Sequence, residues 1–250
     1  AAKLISKKYK LLLINSGLLY RYASKEIIKN NPKDIVHFLK KKFKKLIIAC
    51  DGESASGKST AAKLISRKYK LLLINSGLLY RYASKEIIKN NPKDIVNFLK
   101  KRFKSISYKK IVKLNLHSQQ ISNHVAILAK NRNIRKIINT FQKTLIKKNK
   151  KICIEGRDIA SKILAKNPKY DLAFYFKCNL SVSSYRRWLD LKKTVPLKEV
   201  KKSLKNRTKM DKTRKNSPLV KVKDAILIRT DKLSKRGVLN KMSKYIENLN

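Results

Sequence analysis

An α/β chain, with an open parallel sheet of about five strands covered by helices on both faces, is the fold that the sequence predicts. Three observations carry that expectation. Short apolar runs of strand length alternate with segments of helical period. A glycine-punctuated loop at 52–60 stands where the first strand should hand over to a helix. Further clusters of arginine, aspartate and serine recur directly behind later strands, and in an open parallel sheet those positions share one rim.

Taken in order, the strands are expected at 45–51, 70–75, 151–155, 171–178 and 225–229, each a compact apolar run. Helical periodicity is clearest at 60–68, 134–148 and 182–192. The stretch 83–150 is longer than one crossover helix needs, so it reads as an inserted subdomain, with 45–82 and 151–233 forming the core around it. Residues 234–250 are expected to close the same domain as a C-terminal helix.

The loop reads Gly52-Glu53-Ser54-Ala55-Ser56-Gly57-Lys58-Ser59-Thr60, which is a phosphate-binding P-loop and makes the sheet one of the P-loop NTPase type. Gly52 and Gly57 are expected to pass through dihedrals that a side chain would block, so that successive N–H groups converge on phosphate oxygens at the positive end of the next helix. Lys58 can reach the outer phosphates, and the Ser59 hydroxyl is placed to ligate the Mg²⁺ that accompanies a triphosphate. Behind the second strand stands Ser76-Gly77-Leu78-Leu79-Tyr80-Arg81, behind the third Glu155-Gly156-Arg157-Asp158, and before the last Arg207, Asp211 and Arg214. Arginines at 81, 157, 207 and 214 can surround a second phosphate and the transferring group, which is what phosphoryl transfer needs.

Composition bounds the rest. The 64 basic and 15 acidic residues give a net charge of +49. Lysines are spread over the whole length in a chain also rich in Ile and Asn, which points to compositional bias rather than a dedicated nucleic-acid surface, although a positive exterior steers anionic nucleotides inward. Cys50, Cys153 and Cys178 lie in or beside strands and read as reduced core residues of a cytoplasmic protein. The three histidines have no metal-ligand spacing, and no apolar run reaches the length of a membrane span. No signal peptide is expected, because the run 11–14 is too short, and the absence of an initiating Met leaves open that the chain is a fragment.

Residues 1–44 recur as 61–104 with only Lys7/Arg67, His37/Asn97 and Lys42/Arg102 different. Two copies this similar suggest a recent duplication rather than a solenoid. Only the second copy is continuous with the P-loop, so 1–44 is expected to be an appended, partly helical, loosely packed and non-catalytic segment.

From Leu46 to about Leu233 the chain resembles the bacterial cytidylate kinases of the nucleoside monophosphate kinase superfamily. The P-loop with Asp51, the Ser76–Arg81 segment, Gly156-Arg157-Asp158-Ile159-Ala160, and the pattern Arg207, Asp211, Arg214, Pro218-Leu219, Asp224-Ala225 carry the resemblance in order and spacing. It implies transfer of the ATP γ-phosphoryl group to CMP or dCMP, with ATP and Mg²⁺ as the nucleotide and metal; the protein is expected to be a monomer. It also makes the 83–150 insert a monophosphate-binding subdomain and puts Arg207, Asp211 and Arg214 where a short lid closes over phosphates and sugar, with Arg186 and Arg187 on the helix leading toward that lid.

By the same resemblance Gly52 to Thr60 hold ATP with help from Arg186 and Arg187, and Lys58, Arg157 and Arg214 act on the transferring group. Ser76, Tyr80, Arg81, Arg135, Arg157, Asp158, Arg207, Asp211 and Arg214 hold the monophosphate, Arg135 on the cytosine side. Nothing in the residues themselves specifies cytosine. Ala55, Ala126, His117 and Arg229 depart from the family pattern, and the insert is short around 114–120, which implies relaxed base preference with intact phosphate machinery. Two other readings stay open: a different small-molecule P-loop kinase acting on UMP, shikimate or another acceptor, and a basic nucleic-acid-binding protein with a vestigial P-loop.

Overall fold

The computed structural model describes residues 45–116 and 118–249, together with Ser24, Ile27, Ile28, Asn30, Asn31, Pro32, Asp34 and Ile35. The chain divides into two units, residues 1–45 with residue 250, and residues 46–249. In the first unit a helical turn closes with the Asn31 N–H donating to the Ile27 carbonyl at 2.8 Å; the expectations for 1–44 as a segment lie outside the described residues.

The second unit is built on β1 (Leu46–Gly52), β2 (Leu72–Asn75), β3 (Lys151–Gly156), β4 (Leu172–Lys177) and β5 (Ile226–Arg229). All pair in parallel, in the spatial order β2-β3-β1-β4-β5. The five expected strands are therefore present, with ends shifted by a residue or two. Lys70 sits in a turn at φ 53°, which delays β2 to Leu72.

Alternation along each strand feeds two cores. Ile47, Ala49, Ile152, Ile154, Ala173 and Tyr175 point to one face, while Ile48, Cys50, Cys153, Phe174 and Phe176 point to the other. With both faces covered, the central strands read as unbroken apolar runs. Each fully buried Ile or Phe contributes roughly 1.5–3 kcal/mol. All three cysteines are buried and free, as the sequence suggested.

On the second face lie α1 (Lys58–Lys68) and the C-terminal α9 (Lys235–Glu247), through Ala61, Ala62, Ile65, Val238, Met242 and Ile246. The first face carries α2 (Ser76–Asn90), α3 (Ile95–Ser105), α4 (Tyr108–Lys113), α5 (Gln119–Leu128) and α6 (Arg132–Lys148). Their starts are set locally, since Asn75, Asp94, Ser107, Ser118 and Asn131 each accept a hydrogen bond from a first-turn N–H. α2 crosses residue 83 without a break. A hairpin of α7 (Leu180–Asp190) and α8 (Leu197–Thr213) leaves β4 and returns toward β5.

Candidate active site

At the carboxyl end of β1 the chain turns through 53–57 into α1. Gly57 caps that helix at φ 76°, and no side chain satisfies its first N–H groups, so the helix terminus is open to an anion. The two glycines do different work. Gly57 needs its left-handed backbone, whereas Gly52 lies outside that region. A Cβ on Gly52 would come within 2.7 Å of the Phe176 Cβ and closer still to the Phe176 carbonyl; its role is close packing on β4, a correction to the expectation for both. Ala55 stands at φ 53°, so this departure from glycine holds a strained left-handed backbone.

Lys58 is buried at the start of α1, and its Nζ lies 3.2 Å from Glu155 Oε2 at the end of β3. Burial chiefly lowers its pKa, against the pull of Glu155, which raises it. The Ser59 hydroxyl donates to the same Glu155 oxygen at 2.5 Å. Two hard oxygen donors beside Lys58 are of the kind that suits Mg²⁺. No cluster of three or more His, Cys, Asp or Glu able to hold a metal occurs among the described residues.

Facing this cradle is a chain of alternating charges. Buried Arg135 on α6 pairs with buried Asp158 and also donates to the Ala129 carbonyl at 3.0 Å. Asp158 meets Arg214 at 3.7 Å, Arg214 meets Asp211 at 3.4 Å, and Asp211 accepts from Arg157 Nε at 2.9 Å. Arg157 completes the chain by donating to the carbonyls of Gly52 and Glu53, at 2.5 and 3.0 Å. Lys212 on α8 reaches Glu53 at 2.7 Å. The end of α8 is thus tied to the P-loop on both sides.

Tyr80 lies beneath this network, with the Arg135 guanidinium 5.6 Å from its ring centre, and burial raises its phenol above the ordinary range. Ser76 is the buried first residue of α2. Arg81 donates to the Leu116 carbonyl at 3.0 Å and to the Ser122 hydroxyl at 2.9 Å. Desolvation, then the neighbouring charge of Arg187, lowers its pKa. Arg207 is exposed on α8, and desolvation, then the neighbouring charge of Arg157, pushes its guanidinium down to about 10. Arg214 is lowered too, first by desolvation.

The structure therefore gathers the predicted Lys58, Ser59, Arg81, Arg135, Arg157, Asp158, Arg187, Arg207, Asp211 and Arg214 around one rim. Arg186 stands beside the cradle: it donates to the Thr230 carbonyl at 3.0 Å and approaches the Thr230 hydroxyl, which itself bonds Ser56, at 3.4 Å. Ala126 is exposed on α5, Arg229 pairs with Asp231 at 3.2 Å, and His117 lies outside the described residues.

Three residues carry more of the site than the sequence indicated. Glu155 was visible as a carboxylate ending an apolar strand. Asp51 is buried and accepts from the N–H groups of Ile159 and Ala160 at 2.9 and 2.8 Å, holding the single π-helical turn Ile159–Ile163 behind Asp158. Burial pushes its carboxyl up to about 6, against the lowering effect of those two bonds. Thr230, first in the 3₁₀ turn Thr230–Lys232, donates to the Ser56 carbonyl at 2.9 Å, and no sequence signal announced it.

The family model described as cytidylate kinase matches residues 48–248. Cytidylate kinase of Mesomycoplasma hyopneumoniae is 31% identical over 221 residues, covering 82% of this chain and 94% of that protein. Cytidylate kinase of Fusobacterium nucleatum is 31% identical over 216 residues, covering 81% and 97%. That of Rickettsia akari is 30% identical over 212 residues, covering 82% and 93%. Among solved structures, an uncharacterized protein from Eubacterium ventriosum shares the fold, with a TM-score of 0.50 and 21% identity over 82% of this chain and 99% of that one.

Proposed function

The chain belongs to the cytidylate kinase family, and on that premise we propose that it transfers the γ-phosphoryl group of ATP to CMP or dCMP, releasing ADP and CDP or dCDP. The observation that carries the reading is the rim itself. A backbone cradle ending in buried Lys58 faces the Arg135-Asp158-Arg214-Asp211-Arg157 chain, so donor and acceptor phosphates can meet between them.

In this reading the acceptor phosphate oxygen attacks the γ-phosphorus as the bond to the ADP oxygen breaks. That oxygen is already ionised, so no general base is required, and catalysis rests on alignment and charge stabilisation. The N–H groups of 52–60 grip the ATP phosphates, Lys58 follows the transferring group, and Arg157 and Arg214 neutralise the charge spreading over it. Ser59, backed by Glu155, would hold Mg²⁺, which supplies further charge neutralisation on the phosphates. Ser76, Tyr80, Arg81, Arg135, Asp158, Arg207 and Asp211 hold the monophosphate, and Arg187 adds charge on the donor side.

The insert 83–150 serves as the monophosphate-binding part, and the α7–α8 hairpin serves as the lid that excludes water. Residues 1–44 are non-catalytic. The enzyme works as a monomer in the cytoplasm, where its three buried, free cysteines stay reduced.

A coupled ADP-release assay with ATP and Mg²⁺, offering CMP, dCMP, UMP and AMP to the full chain and to a chain beginning at Lys44, tests this. CMP and dCMP should be preferred by both. Absence of CMP-dependent turnover would sink the proposal.

A further inference from the structure

We propose that Thr230 is a positioning residue of the donor-phosphate cradle, and that Arg186 acts on the cradle through Thr230 rather than by touching phosphate. The proposal deepens the kinase reading and rests on it only for the identity of the donor.

The geometry runs through one peptide plane. Thr230 is 3% exposed, and its hydroxyl donates to the Ser56 carbonyl across a sequence separation of 174 residues. A trans peptide is planar, with its C=O and N–H pointing in opposite directions. Anchoring the Ser56 carbonyl outward on Thr230 therefore turns the N–H of Gly57 inward, toward the space where phosphate oxygens lie. Gly57 adopts φ 76°, and a Cβ there would stand 3.4 Å from both Thr230 Cγ2 and Oγ1. The threonine thus supports the loop by packing as well as by its hydrogen bond. This matters most where the backbone is least restrained, since glycine permits many dihedrals.

Arg186 supplies the outer end of the relay. Its NH2 donates to the Thr230 carbonyl at 3.0 Å, its NH1 lies 3.4 Å from the Thr230 hydroxyl oxygen, and NH1 also approaches Cys178 Sγ at 3.8 Å. A hydroxyl that accepts from a guanidinium donates more strongly to its own acceptor. With both terminal nitrogens engaged on Thr230, the guanidinium braces the turn after β5 against α7, the first helix of the lid hairpin. The orientation of the cradle is thereby linked to the position of α7.

Full-length Thr230→Val keeps the shape and removes the hydroxyl, Thr230→Ser keeps the hydroxyl, and Arg186→Ala removes the brace. Loss of one buried hydrogen bond should raise KM for ATP about tenfold in Thr230→Val, with KM for CMP changed less than about twofold, and Thr230→Ser should recover to within about threefold of the parent. Arg186→Ala should raise KM for ATP about threefold in the parent and by less than about 1.5-fold in Thr230→Val, the non-additivity expected of residues acting in series.

Calorimetric titration with MgATP and no acceptor repeats the comparison independently of any kinase activity, so failure of the acceptor assignment and failure of the relay remain distinguishable. Equal ATP affinity in Thr230→Val and parent would overturn the role of Thr230. A full-sized effect of Arg186→Ala in both backgrounds would return Arg186 to direct phosphate contact. Should Thr230→Val not fold, Thr230→Ser and Arg186→Ala still carry the test, and unchanged ATP affinity in Arg186→Ala overturns the relay.

Discussion

The two sides of the rim are made of different material. The donor side, 52–60, is mostly backbone: N–H groups at an uncapped helix end, fixed by one glycine in a left-handed turn and another packed against β4. The opposite side is side chain, a run of paired arginines and aspartates drawn from α6, the turn after β3 and the end of α8. A backbone cradle is rigid and tolerant of side-chain change, because its donors belong to every residue. A side-chain network is adjustable but fragile, since each buried charge depends on its partner. The difference predicts where substitutions should act on turnover, where on affinity, and where on stability.

The largest effects should separate the sides cleanly. Lys58→Ala removes the cradle side chain proposed to follow the transferring group, and kcat should fall about 10³-fold while the backbone donors still bind ATP. Asp158→Asn keeps shape but leaves Arg135 and Arg214 without their shared carboxylate. KM for CMP should rise about 30-fold with KM for ATP within about twofold, as expected for losing a charge-assisted contact on one substrate only. Steady-state kinetics with each substrate varied in turn reads both. An equal rise of both KM values in Asp158→Asn would show that the two sides act as one.

The same contrast explains what could be read beforehand. Strands buried on both faces leave continuous apolar runs, so all five were legible, and the cradle was legible because a phosphate-binding backbone demands glycine at fixed spacing. Gly52 was nevertheless assigned the wrong reason, because a close approach to Phe176 and a left-handed turn leave the same letter in the sequence. The arginines and aspartates of the network stood out as residues, yet their pairing order depends on α6 and α8 converging, which spacing does not encode. Arg186 pointing to Thr230, and Thr230 to Ser56, are contacts between elements far apart in sequence. The helices within 83–150 were poorly bounded because lysine-rich helix and loop resemble each other, although the caps at Asp94, Ser107 and Asn131 mark their starts.

One residue joins the two sides. Asp51, next to last in β1, holds the N–H groups of Ile159 and Ala160 behind the network. Its folded pKa is raised from 3.8 to about 6, chiefly by burial. The folded state therefore binds the Asp51 proton more tightly than the unfolded state does. This contribution is fully present below the unfolded pKa and is lost as pH rises through the folded one. Subtracting the stability of Asp51→Asn from that of the parent isolates the effect from other carboxylates. The difference should decline by roughly 2–3 kcal/mol between about pH 4 and pH 6.5 and be flat above that. Urea unfolding across that range measures it. A difference that grows with pH would mean that the two N–H bonds outweigh burial, and that the link between the sides is strongest when ionised.

The smallest effect should come from within the cradle and should be a gain. Ala55 holds φ 53°, where its Cβ crowds the backbone at an expense of about 1–2 kcal/mol. Glycine escapes that strain but gives the unfolded chain more freedom, which offsets part of the benefit. Ala55→Gly should therefore stabilise by about 0.5–1 kcal/mol, raising Tm by roughly 2 °C for a unit of this size. None of the ion pairs of the charged network includes residue 55, so KM for CMP should stay constant. Because the cradle binds through backbone donors, relief of strain at one position should leave ATP affinity within about twofold. A lower Tm in Ala55→Gly would show that the methyl group packs better than its dihedral strains. In that case the donor side would depend on a methyl group within the loop itself as well as on Thr230 and Lys58.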